Sequence, residues 1–126
     1  TGALGFEAVS RGAASCDLIE RERPLVDSLT ELKNRLRANS IAVHHGDALQ
    51  WLKEKPRRYD IVFIDPPFNT VGLAPLLDKL LDGWIAHKSK VYVEVDKDGL
   101  ITQKHWQVLK QGATRDVNYA LLQYRR

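Results

Sequence analysis

Residues 59–68, Tyr-Asp-Ile-Val-Phe-Ile-Asp-Pro-Pro-Phe, constrain the fold of this chain more than any other stretch. The run from Ile61 to Asp65 is almost wholly apolar and ends on a carboxylate, which is typical of a parallel strand covered on both faces. Pro66 and Pro67 end the strand, because proline lacks a backbone N–H and fixes its own φ angle. Ligands of open α/β sheets bind beyond the carboxyl ends of the strands, so we expect chemistry at this point.

Length and composition predict one domain over residues 1–126. Apolar residues make up 44% of the chain, yet no stretch approaches the roughly 20 apolar residues that cross a bilayer, and no signal-peptide pattern is present. The single cysteine, Cys16, excludes an internal disulfide. We therefore expect a protein of the reducing cytoplasm that does not associate with membranes.

Charge is concentrated near the carboxyl end. Residues 97–126 hold six basic and two acidic residues, a net charge of +4, which leaves −1 for residues 1–96 of a chain whose total is +3. A basic end on a near-neutral body is compatible with a nucleic-acid partner. An ordinary solvated surface explains the charge equally well.

The chain opens on Thr1 and Gly2 and contains no methionine. We infer that residues upstream of Thr1 are missing from this sequence.

Helical and strand patterns alternate along the chain and predict an α/β fold, doubly wound, with a mixed sheet. In the first long helix, Leu25, Leu29, Leu32 and Leu36 are expected to share the inward face. The tail changes character, and we predict an antiparallel hairpin at the sheet edge. The predicted helices lie within 2–13, 24–38 and 73–81, with a short one after Asp47, and the predicted strands within 15–20, 41–45, 61–65, 90–95, 106–109 and 117–124.

Three further features are candidates for the same crevice. Glu20 ends a strand 18 residues after Gly2, close to the spacing of about 20 at which Rossmann-like folds place a carboxylate on ribose hydroxyls, although Glu20 also belongs to a run of mixed charges at 20–23. Asp47 is suited to accept a hydrogen bond from an adenine amino group and to cap the helix behind it, and the two roles are not exclusive. Gly2 and Gly5 belong to a loop whose backbone N–H groups are suited to approach a cofactor.

The residues Asp65, Pro66, Pro67 and Phe68 fit one mechanism. The lone pair of an exocyclic amine on a nucleobase is delocalised into the ring. If the Asp65 carboxylate and the Pro66 carbonyl accept its two N–H hydrogens, the lone pair is freed to attack a sulfonium methyl group. Phe68 would stack on the base, which must be unpaired or flipped out to enter the site. The competing interpretation is that Asp-Pro-Pro is an ordinary loop tripeptide.

The chain resembles the class I S-adenosylmethionine-dependent methyltransferases and, more narrowly, the bacterial 16S ribosomal RNA guanine-N2 methyltransferases of the small subunit. The resemblance covers essentially the whole chain in one order and spacing. It is carried by the segment at 1–13, by Ile19-Glu20, Gly46-Asp47-Ala48 and Ile64-Asp65-Pro66-Pro67-Phe68, and by the closing Tyr-rich hairpin.

The resemblance implies a function and a role for each matching position. It implies methyl transfer from S-adenosylmethionine to the N2 amine of a guanine in 16S ribosomal RNA, either free or in an assembling small subunit. We also expect a monomer without a metal. Thr1 and Gly2 would lie beside the methionine portion of the cofactor, Glu20 on its ribose, and Asp47 with the Ala48 backbone at its adenine. The segment 65–68 would hold the target amine.

The beginning of the chain departs from the family. Members carry a strand and a longer Asp-x-Phe-Ala-Gly-Ser/Thr-Gly motif there, of which only Thr1 and Gly2 remain. We therefore expect a Rossmann-like sheet, mostly parallel with an antiparallel C-terminal hairpin, that lacks its first central strand. Without that strand, cofactor binding is expected to be weak, and low-micromolar binding in a calorimeter would contradict this.

Two alternative functions stay open at this stage. An adenine-N6 nucleic-acid methyltransferase uses a similar Asp-Pro-Pro-aromatic motif, but it normally needs a target-recognition region for which this chain has no room. A non-catalytic fragment that binds RNA or a protein is the second alternative. The intact motif at 65–68 argues against that alternative for the parent protein, and the shortened start argues for it in this chain.

Overall fold

The computed structural model describes residues 3–64, 73–96 and 105–124. The chain divides into two compact units, Thr1–Glu54 and Lys55–Arg126. The prediction of a single catalytic domain over 1–126 stays a prediction. The first unit contains α1 (Ala3–Ser10), β1 (Cys16–Glu20), α2 (Arg23–Leu36), β2 (Ile41–His45) and α3 (Ala48–Trp51), and the second contains β3 (Tyr59–Ile64), α4 (Leu73–Leu80), β4 (Ile85–Asp96), β5 (Trp106–Ala113) and β6 (Val117–Tyr124).

In the first unit, β1 and β2 form a parallel pair in register from Cys16 opposite Ile41 to Glu20 opposite His45. Helix α1 lies against β1 at Gly5, where an added Cβ would come within 2.6 Å of Leu18 Cδ2. A glycine at this position therefore lets the helix approach the strand closely. The prediction that Gly5 belongs to a loop is wrong, because Gly5 is a buried residue of helix α1.

Helix α2 buries Val26 and Leu29, and the predicted inward face is only partly right. Leu29 is buried as expected, but Leu25 and Leu36 are 42% and 59% exposed. A sheet of two strands offers a narrow surface, so a helix that is centred on Val26 and Leu29 leaves its outer leucines uncovered. Periodicity identified the apolar side of the helix but not the width of the surface beneath it.

The second unit holds a four-stranded sheet in the order β3-β4-β6-β5. Strands β3 and β4 are parallel, while β6 runs antiparallel to both β4 and β5. The predicted hairpin at the sheet edge is thus confirmed, although β4 and β5 are longer than expected. The core combines leucines of α4 with small and branched residues of the sheet: Leu73, Leu77, Leu80, Val91, Val93, Val95, Ala120 and Leu122.

The prediction that β3 is covered on both faces is wrong for the described residues. Ile61 and Phe63 are 53% and 40% exposed. The ring of Phe63 meets the edge of Tyr92 at 6.1 Å, and Tyr92 stacks on Tyr119 at 6.3 Å, so one face of the sheet carries a row of partly exposed aromatic rings. An unbroken apolar run does not reveal that its two faces differ in cover.

No helix in the described parts of the chain is long and apolar enough to span a membrane.

Candidate cofactor site at the ends of β1 and β2

The first unit brings two predicted site residues to neighbouring strand ends. Glu20 is the last residue of β1 and lies opposite His45, the last residue of β2. The Gly46 N–H donates to the Glu20 carbonyl oxygen at 2.9 Å, which keeps the two strand ends together as the chain turns towards Asp47. Because β1 and β2 are parallel, both residues lie at the carboxyl edge, where open α/β sheets bind ligands.

Glu20 keeps hydrogen-bonding capacity at this edge. Its side chain is partly exposed, and Oε1 accepts the Glu22 N–H at 3.2 Å. The arginines beside it pair with other carboxylates, since Arg21 lies 3.8 Å from Glu22 and Arg23 lies 3.4 Å from Asp27. A carboxylate has about four acceptor sites, so this one backbone contact leaves room for further donors.

Asp47 caps α3, as one of its two predicted roles requires. Its backbone is extended, with φ −92° and ψ 136°, and its Oδ1 accepts the N–H groups of Leu49 at 2.8 Å and Gln50 at 3.3 Å. This is the usual geometry of an N-cap aspartate. The cap does not engage the N–H of Ala48, an exposed residue that begins the helix.

A partly buried pair of hydrogen-bonded side chains supports this turn, and sequence reasoning missed it. The His44 Nε2 atom lies 2.9 Å from Asp17 Oδ1, and the two side chains are only 33% and 13% exposed. The His44 ring packs against Trp51 with centroids 4.3 Å apart, and the Trp51 N–H donates to the Asp47 carbonyl at 2.9 Å. The helix that Asp47 caps is therefore fixed at its far end to β1 and β2. Polar residues inside two otherwise apolar strands were the available signal.

The second half of the predicted site lies outside the described residues. This applies to Asp65, Pro66, Pro67 and Phe68, and also to Thr1 and Gly2. Ile64, the last residue of β3, immediately precedes Asp65 in the sequence. The roles of these six residues stay predictions.

Comparison with known proteins identifies the family of the chain. Residues 1–123 match the family model described as conserved hypothetical protein 95. The chain belongs to this family. It is 36% identical over 126 residues to Ribosomal RNA small subunit methyltransferase D of Escherichia coli (strain K12), a match that covers 98% of this chain and 64% of that protein. It is 34% identical over 125 residues to the protein of the same name from Buchnera aphidicola, with coverages of 96% and 64%.

This member of the conserved hypothetical protein 95 family thus spans somewhat less than two thirds of the length of these relatives. A solved structure, of the candidate methyltransferase yhhF from Escherichia coli, matches with a TM-score of 0.88 and 33% identity over 98% of this chain and 70% of that chain. These matches confirm the family resemblance and the Rossmann-like class I methyltransferase fold that the sequence predicted.

Proposed function

We propose that this protein transfers a methyl group from S-adenosylmethionine to ribosomal RNA of the small subunit, and that the acceptor is the exocyclic N2 amine of a guanine in 16S ribosomal RNA. The observation that carries the proposal is the placement of Glu20 and Asp47 at adjacent parallel strand ends, in a chain similar over almost its whole length to proteins named small-subunit ribosomal RNA methyltransferases. Because those relatives are longer, the activity is proposed for the whole protein.

The described residues fit the nucleoside part of such a cofactor. Glu20 offers a partly exposed carboxylate with free acceptor sites, which suits the two hydroxyl donors of a ribose. Asp47 offers a carboxylate acceptor beside the Ala48 N–H donor, a pair that matches the amino group and a ring nitrogen of adenine. Thr1 and Gly2 are assigned to the methionine end by sequence alone.

The methyl donor would supply an electrophilic carbon on a sulfonium, and the chain has to make the amine nucleophilic. Asp65 and the Pro66 carbonyl would accept the two N–H hydrogens of the amine, so that its lone pair points at the methyl group. Pro67 would restrict the backbone beside the amine, since proline fixes its own φ angle. Phe68 would stack on the flipped base, a contact worth about 1–3 kcal/mol. After transfer, the proton lost from nitrogen would pass to Asp65 or to water.

Labelled methyl transfer tests the proposal. The protein is incubated with labelled S-adenosylmethionine and with undermethylated small subunits, naked 16S ribosomal RNA or duplex DNA, and the modified nucleoside is identified by mass spectrometry. We expect N2-methylguanosine in RNA or subunits. Label in DNA alone would favour the adenine-N6 alternative and overturn the ribosomal one.

A single substitution tests the assigned chemistry. Asp65→Ala should abolish methyl transfer while sparing cofactor affinity, because the carboxylate acts on the amine and not on the cofactor. Full transfer activity in this variant would refute the role of Asp65.

A further inference from the structure

A basic cleft lies in the second unit, at the amino ends of β3 and β4. It encloses about 300 Å³ and is lined by Arg58, Leu81, Ile85, Ala86, His87 and Tyr124. None of these lining residues is acidic. The volume is at the lower end of the range for pockets that bind small ligands or single groups of a larger one.

Further cations lie close to Arg58 and His87 in the sequence. Lys88 and Lys90 follow His87 along β4. Arg57 precedes Arg58, and the guanidinium of Arg57 lies 5.7 Å from the centroid of the Tyr59 ring. No acidic side chain in the described parts of the chain forms a salt bridge with Arg58, His87 or Lys88. Arg58 and Lys88 thus carry positive charges that no described carboxylate neutralises in a salt bridge, and such charges attract an anionic partner.

Hydrogen bonds hold the walls of the cleft in place. The buried Ser89 hydroxyl, in a residue only 3% exposed, donates to the Tyr59 carbonyl at 2.7 Å and accepts the Ala86 N–H at 2.8 Å. It thereby ties the chain next to Arg58 to the chain next to His87. Gln123 adds a second tie, since its side chain donates to the His87 carbonyl at 3.3 Å and accepts from Lys90 Nζ at 3.2 Å.

The lining combines the two kinds of group that bind a nucleotide unit. Arg58 presents a planar guanidinium, which pairs with phosphate through two parallel hydrogen bonds. Tyr124 presents an aromatic ring whose orientation is set by an edge contact with Trp106 at 5.9 Å, and bases stack on such rings without regard to sequence. Leu81 and Ile85 supply apolar surface between the two.

We propose that this cleft binds the phosphate backbone of an RNA chain, as a contact separate from the methyl-transfer site. The inference rests on the proposed function, which makes RNA the substrate. Strand β3 has six residues and therefore spans about 17 Å. The cleft lies at its amino end, whereas Asp65 follows its carboxyl end in the sequence. An RNA long enough to reach both places would be held by the cleft at a point distant from the reacting base. Binding at the cleft would therefore not depend on the nucleotide sequence around the target base.

The test compares two variants that lose the same charge. Arg58→Ala with Lys88→Ala removes one cation that lines the cleft and one that follows His87 in β4. Lys110→Ala with Arg115→Ala removes two exposed cations from β5 and the turn that follows it. Affinity for a fluorescein-labelled single-stranded RNA oligonucleotide is measured by anisotropy across a salt series. The slope of log affinity against log salt should fall by about 1.4 in the cleft variant, and its affinity should weaken roughly tenfold near 150 mM salt.

The control variant should keep the slope and affinity of the unchanged protein. Equal loss of RNA affinity in both variants would show general charge attraction and would overturn the proposal that RNA binds in the cleft. An unchanged salt slope in the cleft variant would also overturn it. Methyl transfer separates this proposal from the proposed function. If the protein transfers methyl groups and the KM for RNA rises only in the cleft variant, the result supports the proposed function and the RNA-binding cleft. If RNA binding depends on the cleft but no methyl transfer occurs, the result overturns the proposed function and leaves the cleft standing.

Discussion

The imidazole of His44 lies 2.9 Å from the carboxylate of Asp17, in a pair that joins β2 to β1 across 27 positions of sequence. The same ring packs on Trp51, so one contact links both strands to the end of α3. The geometry of the predicted adenine-binding turn at Asp47 thus depends on residues that would not touch a cofactor. Asp17 and His44 are positioning residues in this arrangement.

His44→Ala should destabilise the protein by about 1–3 kcal/mol, because it removes a hydrogen-bond partner from a nearly buried carboxylate. Urea unfolding followed by circular dichroism measures the loss. His87→Ala is a suitable control, since that exposed ring makes no hydrogen bond within the described residues, and its effect should stay within about 0.5 kcal/mol. A double-mutant cycle with Asp17→Asn should give a coupling energy of about 0.5–3 kcal/mol, and a coupling of zero would contradict the pair.

Two substitutions at Asp47 separate capping from cofactor binding. Asp47→Asn should leave stability almost unchanged, since asparagine caps helices as well as aspartate, whereas Asp47→Ala should cost about 0.5–2 kcal/mol. If the carboxylate also accepts a hydrogen bond from adenine, both variants should bind S-adenosylhomocysteine more weakly in a calorimeter. If Asp47→Asn binds S-adenosylhomocysteine as tightly as the unchanged protein, Asp47 only caps the helix and its carboxylate does not bind adenine.

Sequence patterns predicted the strand ends that carry Glu20 and Asp47, because alternating elements and capping chemistry are local signals. They failed where the answer depends on distant neighbours. The apolar run at 61–65 does not reveal that Ile61 and Phe63 remain exposed, and nothing local pairs Asp17 with His44. Strand β4 was predicted too short because His87, Lys88 and Ser89 are typical of a loop, yet the Ser89 hydroxyl binds the backbone at the start of β3.

Gly5→Ala tests the close approach of α1 to β1. Alanine favours a helix over glycine by about 1 kcal/mol, yet its Cβ would lie 2.6 Å from Leu18 Cδ2 and 2.9 Å from Cys16 Sγ. Both atoms are side-chain tips that shift in part, so we expect a net loss of about 1–2 kcal/mol from overpacking. Adding Leu18→Ala should make the Gly5→Ala change much less costly, and a stabilised single variant would contradict the packing.

Cys16 should react slowly with alkylating reagents. Burial, and to a smaller extent the negative charge of Asp17, raise the pKa of the Cys16 thiol above its ordinary value of 9.0, and only the thiolate is nucleophilic. The rate of carbamidomethylation by iodoacetamide at pH 8 should therefore be lower in the folded protein than in urea. Asp17→Asn should raise the rate in the folded protein, and an equal rate in both variants would remove Asp17 as a cause.

The same shift fixes the sign of a pH effect on stability. Because the folded pKa of Cys16 is above the unfolded value of 9.0, the stabilising contribution is complete below pH 9.0 and is lost as pH rises through the folded pKa. Cys16→Ser should flatten the decline of unfolding free energy in this alkaline range. If the unfolding free energy of Cys16→Ser declines as steeply as that of the unchanged protein, the decline is caused by other titrating groups.

Ser89→Ala should be among the most damaging single-atom deletions in the second unit. The hydroxyl is buried and joins the Tyr59 carbonyl to the Ala86 N–H, so its removal leaves two backbone groups without this partner, at a cost of about 1–3 kcal/mol. Ser28→Ala is the matched control, because its exposed hydroxyl only donates to the Pro24 carbonyl, and it should change stability by less than about 0.5 kcal/mol. The same hydroxyl joins the chain next to Arg58 to the chain next to His87. Ser89→Ala should therefore weaken RNA binding even at temperatures where the protein remains folded. RNA affinity equal to that of Ser28→Ala, in a protein shown by circular dichroism to be folded, would mean that the cleft does not need this tie.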